Sequence, residues 1–358
     1  KIDVADGAGI TFNYASTGSY VTHLKLDANS KISLSNNDSG GTGGADSTSG
    51  NTIFGYLAGT NSEDGSHNNT LIGHKAAGAG TWANLENNVI IGTNAGAAAT
   101  QADQCVIIGQ NAGTAITGSE DLVLIGQGAG SSLTDNVDKV VFIGRNAGAT
   151  TNNTGTTGSV GIGHSALTAL TSGGRNTAIG FEALSTATQL THNVAIGWQT
   201  MKDSSATTSH RNIGIGSFVM DSIGANVAND NVAIGYNNLT NLTTGDNNTV
   251  LGSQAGVQVN TGTDNTFVGF QVANGLTDGN FNVAMGFNAL VSMVSGDRNV
   301  AIGYKALEDA NEDAINRNTA VGCNAALNLT TATKTVAIGD DAIGSGVCTG
   351  DKNVAVGQ

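Results

Sequence analysis

The sequence predicts an all-β protein, a parallel β-solenoid of about 18 coils with 17–19 residues in each coil. Three observations predict it. The chain holds 52 glycines and no proline in 358 residues, with 4% aromatic and 12% charged residues, which indicates many turns and short strands. A motif, Asn-(Val/Thr)-(Ala/Ile)-Ile-Gly, recurs 18 times. Its spacing is too short for two helices but suits one solenoid coil, with two short strands and two turns.

The chain divides into three predicted segments. Residues 1–39 precede the repeats, and residues 10–12, 21–26 and 32–34 read as strands of a small β-module. Residues 40–50 form a Gly/Ser-rich linker. The repeat array occupies residues 51–358, and we expect it to continue beyond Gln358 because that residue directly follows a repeat glycine.

The repeat glycine is present in every copy of the motif, which predicts a turn position that needs positive φ or a close backbone approach. The repeat glycines are Gly55, Gly73, Gly92, Gly109, Gly126, Gly144, Gly163, Gly180, Gly197, Gly216, Gly235, Gly252, Gly269, Gly286, Gly303, Gly322, Gly339 and Gly357.

The two residues directly before each repeat glycine point to opposite faces of the strand, and their apolar character predicts burial of both faces. The residue directly before the glycine, such as Ile72 or Ile302, is always apolar, and the residue two before, such as Ile90 or Ala301, is apolar or glycine. A strand without polar alternation is typical of a sheet covered on both faces. One face can line the interior of the coil. We expect another copy of the chain to cover the other face, which predicts an oligomer.

Asparagine stands four residues before the repeat glycine in 13 of the 18 copies, including Asn176, Asn231 and Asn299. Stacked coils would place these side chains above one another. Stacked amides can hydrogen-bond along the axis, so the pattern predicts an asparagine ladder with a structural role.

A size correlation predicts one specific contact in the interior. Where the residue two before the glycine is large, as at Ile90, the residue four after it is Gly or Ala, as at Gly96; where the first is small, as at Ala178, the second is large, as at Leu184. One of the 17 testable copies departs from this rule. Close packing requires a nearly constant summed volume, so we expect the two positions to share one core slot.

Charge and hydropathy exclude several partners. The net charge is −14 and the estimated pI is 4.5, whereas a protein that binds nucleic acid needs a basic stripe. Nucleic acid is therefore not an expected partner. No run of 18 apolar residues occurs, so we expect no membrane insertion in this segment. The three cysteines form no CxxC pair, and buried, unreactive thiols are the expectation.

Three segments carry a resemblance to known families: NVAIGYNNL at 231–239, NVAMGFNAL at 282–290 and NVAIGYKAL at 299–307. They resemble the repeats of trimeric autotransporter adhesin heads and those of phage tail fibres and tailspikes. The resemblance covers about residues 51–358. It implies a left-handed β-roll or β-helix in a homotrimer, with chains intertwined or side by side.

The sequence predicts no catalytic, cofactor-binding or metal-binding residues. Histidines that lack HxH and HExxH spacing stand at His23, His67, His74, His164, His192 and His210. Acidic residues cluster at 63–64, 120–121, 309–313 and 340–341, where solvated connector charge is the expectation and a glycosidase pair is the alternative. A phosphate loop and a GxSxG elbow are both absent from the sequence.

Aromatic residues directly follow the repeat glycine in seven copies. Among them, Trp198, Tyr236 and Tyr304 are candidates for glycan contact through their ring faces. The alternative is stacking at a coil corner or at a chain interface.

These patterns favour a structural protein over an enzyme. The first hypothesis is the shaft of a viral tail fibre or tailspike that mediates host attachment, at a virion surface or outside the cell. The alternative is a bacterial trimeric adhesin head or an extracellular filament. A cell-surface glycan or a protein receptor is the expected partner besides other copies of the chain. An enzyme on a β-solenoid is the third possibility.

Overall fold

The computed structural model describes residues 50–60, 66–78, 84–134, 137–151, 154–204, 209–223, 227–310, 315–344 and 348–358. The chain divides into two compact units, Lys1–Ser35 and Asn36–Gln358. The predicted β-module at residues 1–39 lies outside the described residues, as does the predicted linker except for Gly50. All of the described residues belong to the second unit.

The described residues contain eighteen β-strands and one short 3-10 helix, Thr154–Thr156. Strands β11, β12 and β13 have five residues, and the others have three. In chain order the strands are β1 Thr52–Phe54, β2 Thr70–Ile72, β3 Val89–Ile91, β4 Val106–Ile108, β5 Val123–Ile125, β6 Val141–Ile143, β7 Val160–Ile162, β8 Thr177–Ile179, β9 Val194–Ile196, β10 Ile213–Ile215, β11 Val232–Tyr236, β12 Thr249–Ser253, β13 Thr266–Phe270, β14 Val283–Met285, β15 Val300–Ile302, β16 Thr319–Val321, β17 Val336–Ile338 and β18 Val354–Val356.

Every strand pairs in parallel with the next strand along the chain, from β1 with β2 to β17 with β18. The register places equivalent residues of successive copies opposite one another, as in the pair Ala301 and Ala320. Each coil therefore adds one strand to a single parallel sheet. The predicted all-β parallel solenoid is confirmed.

The prediction of two strands in each coil is wrong. The part of the coil opposite the sheet holds turns and isolated bridges, such as that between Thr191 and His210. The reason is local backbone geometry. After Gly180, for example, Glu182, Leu184 and His192 have φ of 54°, 51° and 59°. Left-handed residues at these three positions interrupt any extended run, so only the motif itself remains a strand.

The interior of the coil is filled from one face of the sheet and from the turn that follows it. The second residue of the strand is buried from β2 to β17, and so is the motif asparagine where it occurs from Asn51 to Asn318. A column of residues, mostly alanines such as Ala95 and Ala112, is buried three residues after the repeat glycines from Gly55 to Gly339. This alanine column was not among the features predicted from the sequence, although its spacing is as regular as that of the glycines.

The other face of the sheet points outward, and its expected burial against another copy of the chain stays a prediction. We call the residues directly before the repeat glycines the outer apolar row. Its members are half-buried or exposed in the single chain; Ile302 and Ile338, for example, are 36% and 41% exposed. Each coil contributes one strand, and only one face of that strand points into the coil's own interior. The chain by itself therefore leaves a continuous apolar row uncovered.

Candidate functional site

The repeat glycines are required by two independent features of the backbone. Their φ values lie between 120° and 151°, where L-residues with a side chain are strained. A Cβ atom at Gly73 would also lie only 2.6 Å from the carbonyl oxygen of Gly92. The amide of Gly73 donates a hydrogen bond to the carbonyl of Phe54 over 2.8 Å. The glycine column thus allows successive coils to approach closely at the end of the strand.

The motif asparagines form two continuous ladders. One runs from Asn51 to Asn88, and the other runs through nine coils from Asn176 to Asn318 and includes Asn231 and Asn299. In each pair the side-chain NH₂ of the later asparagine donates to Oδ1 of the earlier one. The ladders hold neighbouring coils together inside the solenoid.

Asn248 shows how completely a ladder amide is satisfied. Its Nδ2 donates to Oδ1 of Asn231 over 3.0 Å and to the carbonyl of Gly262 over 2.8 Å. Its Oδ1 accepts from the backbone N–H and from Nδ2 of Asn265. All four hydrogen-bonding positions of the amide are used, so its burial carries no desolvation penalty for an unpaired group.

Four coils between the two ladders replace the asparagine with other residues, which are Cys105, Leu122, Val140 and Ser159. Cys105 is buried, and burial raises the pKa of its thiol to about 12. Cys323 differs because it is exposed. The pKa of its thiol is also raised, by partial desolvation and by the neighbouring carboxylate of Asp340. Neither thiol has the lowered pKa that marks a nucleophile.

The two positions of the size correlation meet in the interior of one chain. A Cβ atom at Gly96 would lie 3.3 Å from Cδ1 of Ile90. In the reverse arrangement, a Cβ atom at Gly161 would lie 3.3 Å from Cδ1 of Leu167 and 3.0 Å from Cδ1 of Phe142. The predicted shared core slot is present, and it is also shared with the coil before or after.

The aromatic residues after the repeat glycines stack on one another along the solenoid. The rings of Phe181 and Trp198 lie 4.3 Å apart at 12°, and those of Phe287 and Tyr304 lie 5.3 Å apart at 10°. Tyr236 instead meets the ring of Phe218 edge-on. Stacking covers one ring face of Trp198 and one of Tyr304, so any glycan contact there is limited to the remaining face.

The histidines that follow repeat glycines belong to the same column. His74 stacks on Tyr56 with 5.6 Å between ring centroids, and His164 stacks on Phe181 at 5.2 Å. Within the described parts of the chain, no three His, Cys, Asp or Glu side chains are placed to hold a metal ion.

Connector acids hold neighbouring coils together, a role that was not predicted from the sequence. Asp246, Asp297 and Asp351 stand six residues before a repeat glycine, and each accepts a hydrogen bond from a backbone N–H of the preceding coil, at 2.6, 2.8 and 2.8 Å. This bond, from Thr333, lowers the pKa of the Asp351 carboxyl. Asparagines take the same place in other coils; Asn229, for example, accepts from His210 over 2.9 Å. The acidic clusters at 63–64 and 311–313 lie outside the described residues.

The fold also aligns cations that are scattered in the sequence. Seven lysines and arginines stand five residues before a repeat glycine, directly before the motif asparagine or its replacement: Lys139, Arg175, Arg211, Arg298, Arg317, Lys334 and Lys352. The last four occupy successive coils. We call these four residues the cation row. The acidic composition predicted no basic stripe, but the stacking of successive coils aligns these four cations into one.

The comparisons with known proteins leave the family open. Within the described residues no helix is long and apolar enough to cross a membrane. A scan against models of known protein families finds no match, and no curated protein sequence matches the chain significantly.

Proposed function

We propose that this chain is a structural fibre protein, the shaft of a viral tail fibre or tailspike that mediates attachment to a host. In this proposal three copies associate, and the assembly lies at the virion surface or outside the cell. The observation that carries the proposal is the unbroken ladder of eighteen parallel strands with an uncovered outer apolar row. A rigid, repetitive scaffold of this kind suits a protein that acts as a long, stiff spacer.

The outer apolar row supports association of identical chains. It is apolar in every copy of the motif, while only the opposite face of the strand is buried in the single chain. Burying a continuous apolar row releases about 25 cal/mol for each Å² removed from water. Identical rows in three copies can cover one another around a common axis, and closed symmetry avoids open-ended growth.

The internal chemistry supports a structural role over an enzymatic one. The buried asparagines use their hydrogen-bonding capacity on neighbouring coils, and the stacked glycines hold the backbone too close for a cleft at that edge. We therefore propose no catalytic activity for the chain.

A bacterial trimeric adhesin head or an extracellular filament is the alternative. The same repeats suit both functions, so the discriminating observation is the genomic context and the segments encoded on either side of this chain. A membrane-anchoring segment would select the adhesin, and a capsid or baseplate attachment segment would select the fibre.

The oligomeric state tests the proposal. We expect sedimentation equilibrium to give the mass of three chains for the wild-type protein. Ile302→Glu combined with Ile338→Glu places charges in the outer apolar row, and we expect that variant to be a folded monomer. Val227→Glu combined with Val294→Glu is the matched control, because these valines are both 42% exposed on connectors. A monomeric wild-type protein would reject the trimeric fibre.

A further inference from the structure

The cation row consists of Arg298, Arg317, Lys334 and Lys352, one residue from each of four successive coils. All four have φ between 58° and 62°. The backbone N–H groups of the last three donate to a carbonyl of the preceding coil over 2.9 to 3.1 Å. Parallel coils repeat at the strand spacing of about 4.8 Å. The four cations therefore occupy equivalent points of successive coils and form a row along the solenoid.

These cations are available to a partner. All four residues are exposed, and none of them takes part in the ion pairs found among the described residues, which join Lys202 to Glu182, Arg211 to Asp230 and Lys305 to Glu308. Arg298 lies over the ring of Phe281, and Lys334 and Lys352 help to lower the pKa of the Asp351 carboxyl. Four exposed cations in successive coils, on a chain with a net charge of −14, still concentrate positive potential on one strip of the surface.

An aromatic ring extends the row. Phe281 holds the equivalent position in the coil before Arg298 and is 50% exposed. The guanidinium of Arg298 lies 5.0 Å from the centre of this ring. An exposed ring beside cations is a surface on which the apolar face of a sugar can pack.

A polar cavity, shallow and largely open to solvent, lies at the same place. It has a volume of about 250 Å³ and is lined by Asp278, Asn280, Ser295, Gly296, Asp297 and Asn316. Three of these residues directly precede Phe281, Arg298 and Arg317 in the sequence. Asp297 uses one carboxylate oxygen to accept from Asn280, which leaves acceptor capacity on the carboxylate. The carboxylates of Asp278 and Asp297 can accept hydrogen bonds from the hydroxyl groups of one sugar unit.

We propose that this cavity and the cation row form a binding site for an acidic polysaccharide. A hydroxyl-rich unit occupies the cavity beside Phe281, and the carboxylate or sulfate groups of the following units pair with Arg317, Lys334 and Lys352. Arginine binds such anions through paired hydrogen bonds. The proposal deepens the proposed attachment function and rests on it for its biological meaning, but the site itself is formed within one chain.

Nucleic acid fits this surface less well. The carboxylates of Asp278 and Asp297 line the cavity and would repel a phosphate backbone, and the net charge of −14 opposes a polyanion with a dense charge. In an acidic polysaccharide, neutral hydroxyl groups alternate with anionic groups, which matches a carboxylate-lined cavity followed by cations.

Binding of the full chain to alginate and to hyaluronate tests the proposal, with neutral dextran and single-stranded DNA as further probes. We expect alginate or hyaluronate to bind at low ionic strength, with affinity that falls as salt is raised. Replacing Arg317, Lys334 and Lys352 with glutamine should weaken binding about tenfold or more. Phe281→Ala should weaken it to a smaller extent.

The control is a triple variant with glutamine at Lys139, Arg145 and Arg175, three exposed cations outside the cation row. It removes the same charge and should bind as the wild-type protein does. Trp198→Ala should also bind normally, since Trp198 lies in the aromatic column and not at this site. No binding to either acidic polysaccharide, equal binding by the two triple variants, or tighter binding to DNA would overturn the proposal. A trimer that binds no polysaccharide would reject this site alone, and a monomer that binds would reject the trimer alone.

Discussion

The buried asparagines illustrate at the scale of single residues why this solenoid uses an amide in its interior. An asparagine carries two donors and one acceptor oxygen, and Asn248 uses all of them on two neighbouring coils and on its own. An aspartate at the same position would supply no donor and would place a charge in the core. The amide therefore fixes the register of coils without an unpaired polar group.

Replacement of Asn248 by alanine tests the strength of the ladder. The carbonyl of Gly262 and two N–H groups of Asn265 would lose their partners. Each buried unpaired group costs about 1–3 kcal/mol, so we expect about 3 kcal/mol or more of lost stability in denaturant unfolding. Thr249→Ala, at the adjacent exposed residue, should change stability by less than about 0.5 kcal/mol. Equal effects of the two variants would show that the ladder contributes nothing specific.

The buried thiol of Cys105 predicts a loss of stability at alkaline pH. Its pKa rises from 9.0 to about 12 on folding, so the unfolded chain loses its proton first. Its contribution to stability is complete below pH 9 and is lost progressively between pH 9 and pH 12. Cys105→Val, which copies Val140 at the equivalent position, should flatten the decline of the melting temperature over this range. Identical pH profiles for the two proteins would contradict the prediction.

At the scale of the coil, constant interior volume decides which residues are allowed. Leu167 and Leu184 have φ of 55° and 51°, a conformation that costs a residue with a side chain about 1–2 kcal/mol. In other coils glycine takes this place, as at Gly96 with φ of 53°. A large side chain is accepted there because the partner position on the strand is small, and filling the slot outweighs the backbone strain.

Exchanging the large and the small residue of one core slot, at positions 90 and 96, tests this explanation. Ile90→Ala should cost about 2–5 kcal/mol because it leaves a cavity. Gly96→Leu should cost about 1–3 kcal/mol because it overfills the slot. We expect the double variant to be more stable than the sum of the two effects predicts, since it recreates the arrangement seen at Ala178 and Leu184. A double-mutant cycle measured by chemical unfolding checks this, and additive effects would reject the shared slot.

At the scale of the whole solenoid unit, stability comes from contacts between successive coils. Each described strand pairs with the strands of the adjacent coils in the chain, as in other repeat proteins whose interactions are nearest-neighbour. Coils can therefore be added or removed without changing the fold. The length of each coil is constrained, because its repeat glycine, its motif asparagine and its core residues must align with those of the neighbouring coils.

Removal of one complete coil tests the nearest-neighbour description. Deletion of residues 248–264 removes 17 residues, so that Asn265 takes the place of Asn248 beside Asn231. We expect this variant to keep its strand content in circular dichroism and to melt within a few degrees of the wild-type protein. Deletion of residues 252–260 removes half a coil, shifts the columns out of register, and should prevent cooperative folding. Equal loss of structure in both deletions would reject the description.

The outer apolar row and the cation row also exist only at the scale of the whole unit. Ile302 and Ile338 are separated by two coils, and Arg298 and Lys352 by three. One row supports the proposed association of chains, and the other the proposed polysaccharide site. They lie at different positions in the coil, so both proposals can hold in one assembly.

The sequence by itself determined the number of coils, the parallel solenoid, the asparagine ladder and the shared slot of Ile90 and Gly96. These features follow from periodicity, because a repeated residue in a repeated coil must meet its own equivalent. The residue type then decides whether the contact is a hydrogen bond, a close backbone approach or apolar packing.

Only the tertiary structure decided which parts of the coil are strand and what lies outside. Left-handed backbone at positions such as Leu184 and His192 reduced two expected strands to one, since sequence does not signal positive φ for a leucine. The same geometry turned the residues before the motif asparagine outward and aligned Arg298, Arg317 and Lys334. Their spacing of 17 to 19 residues becomes one strand spacing only after the chain has completed each coil.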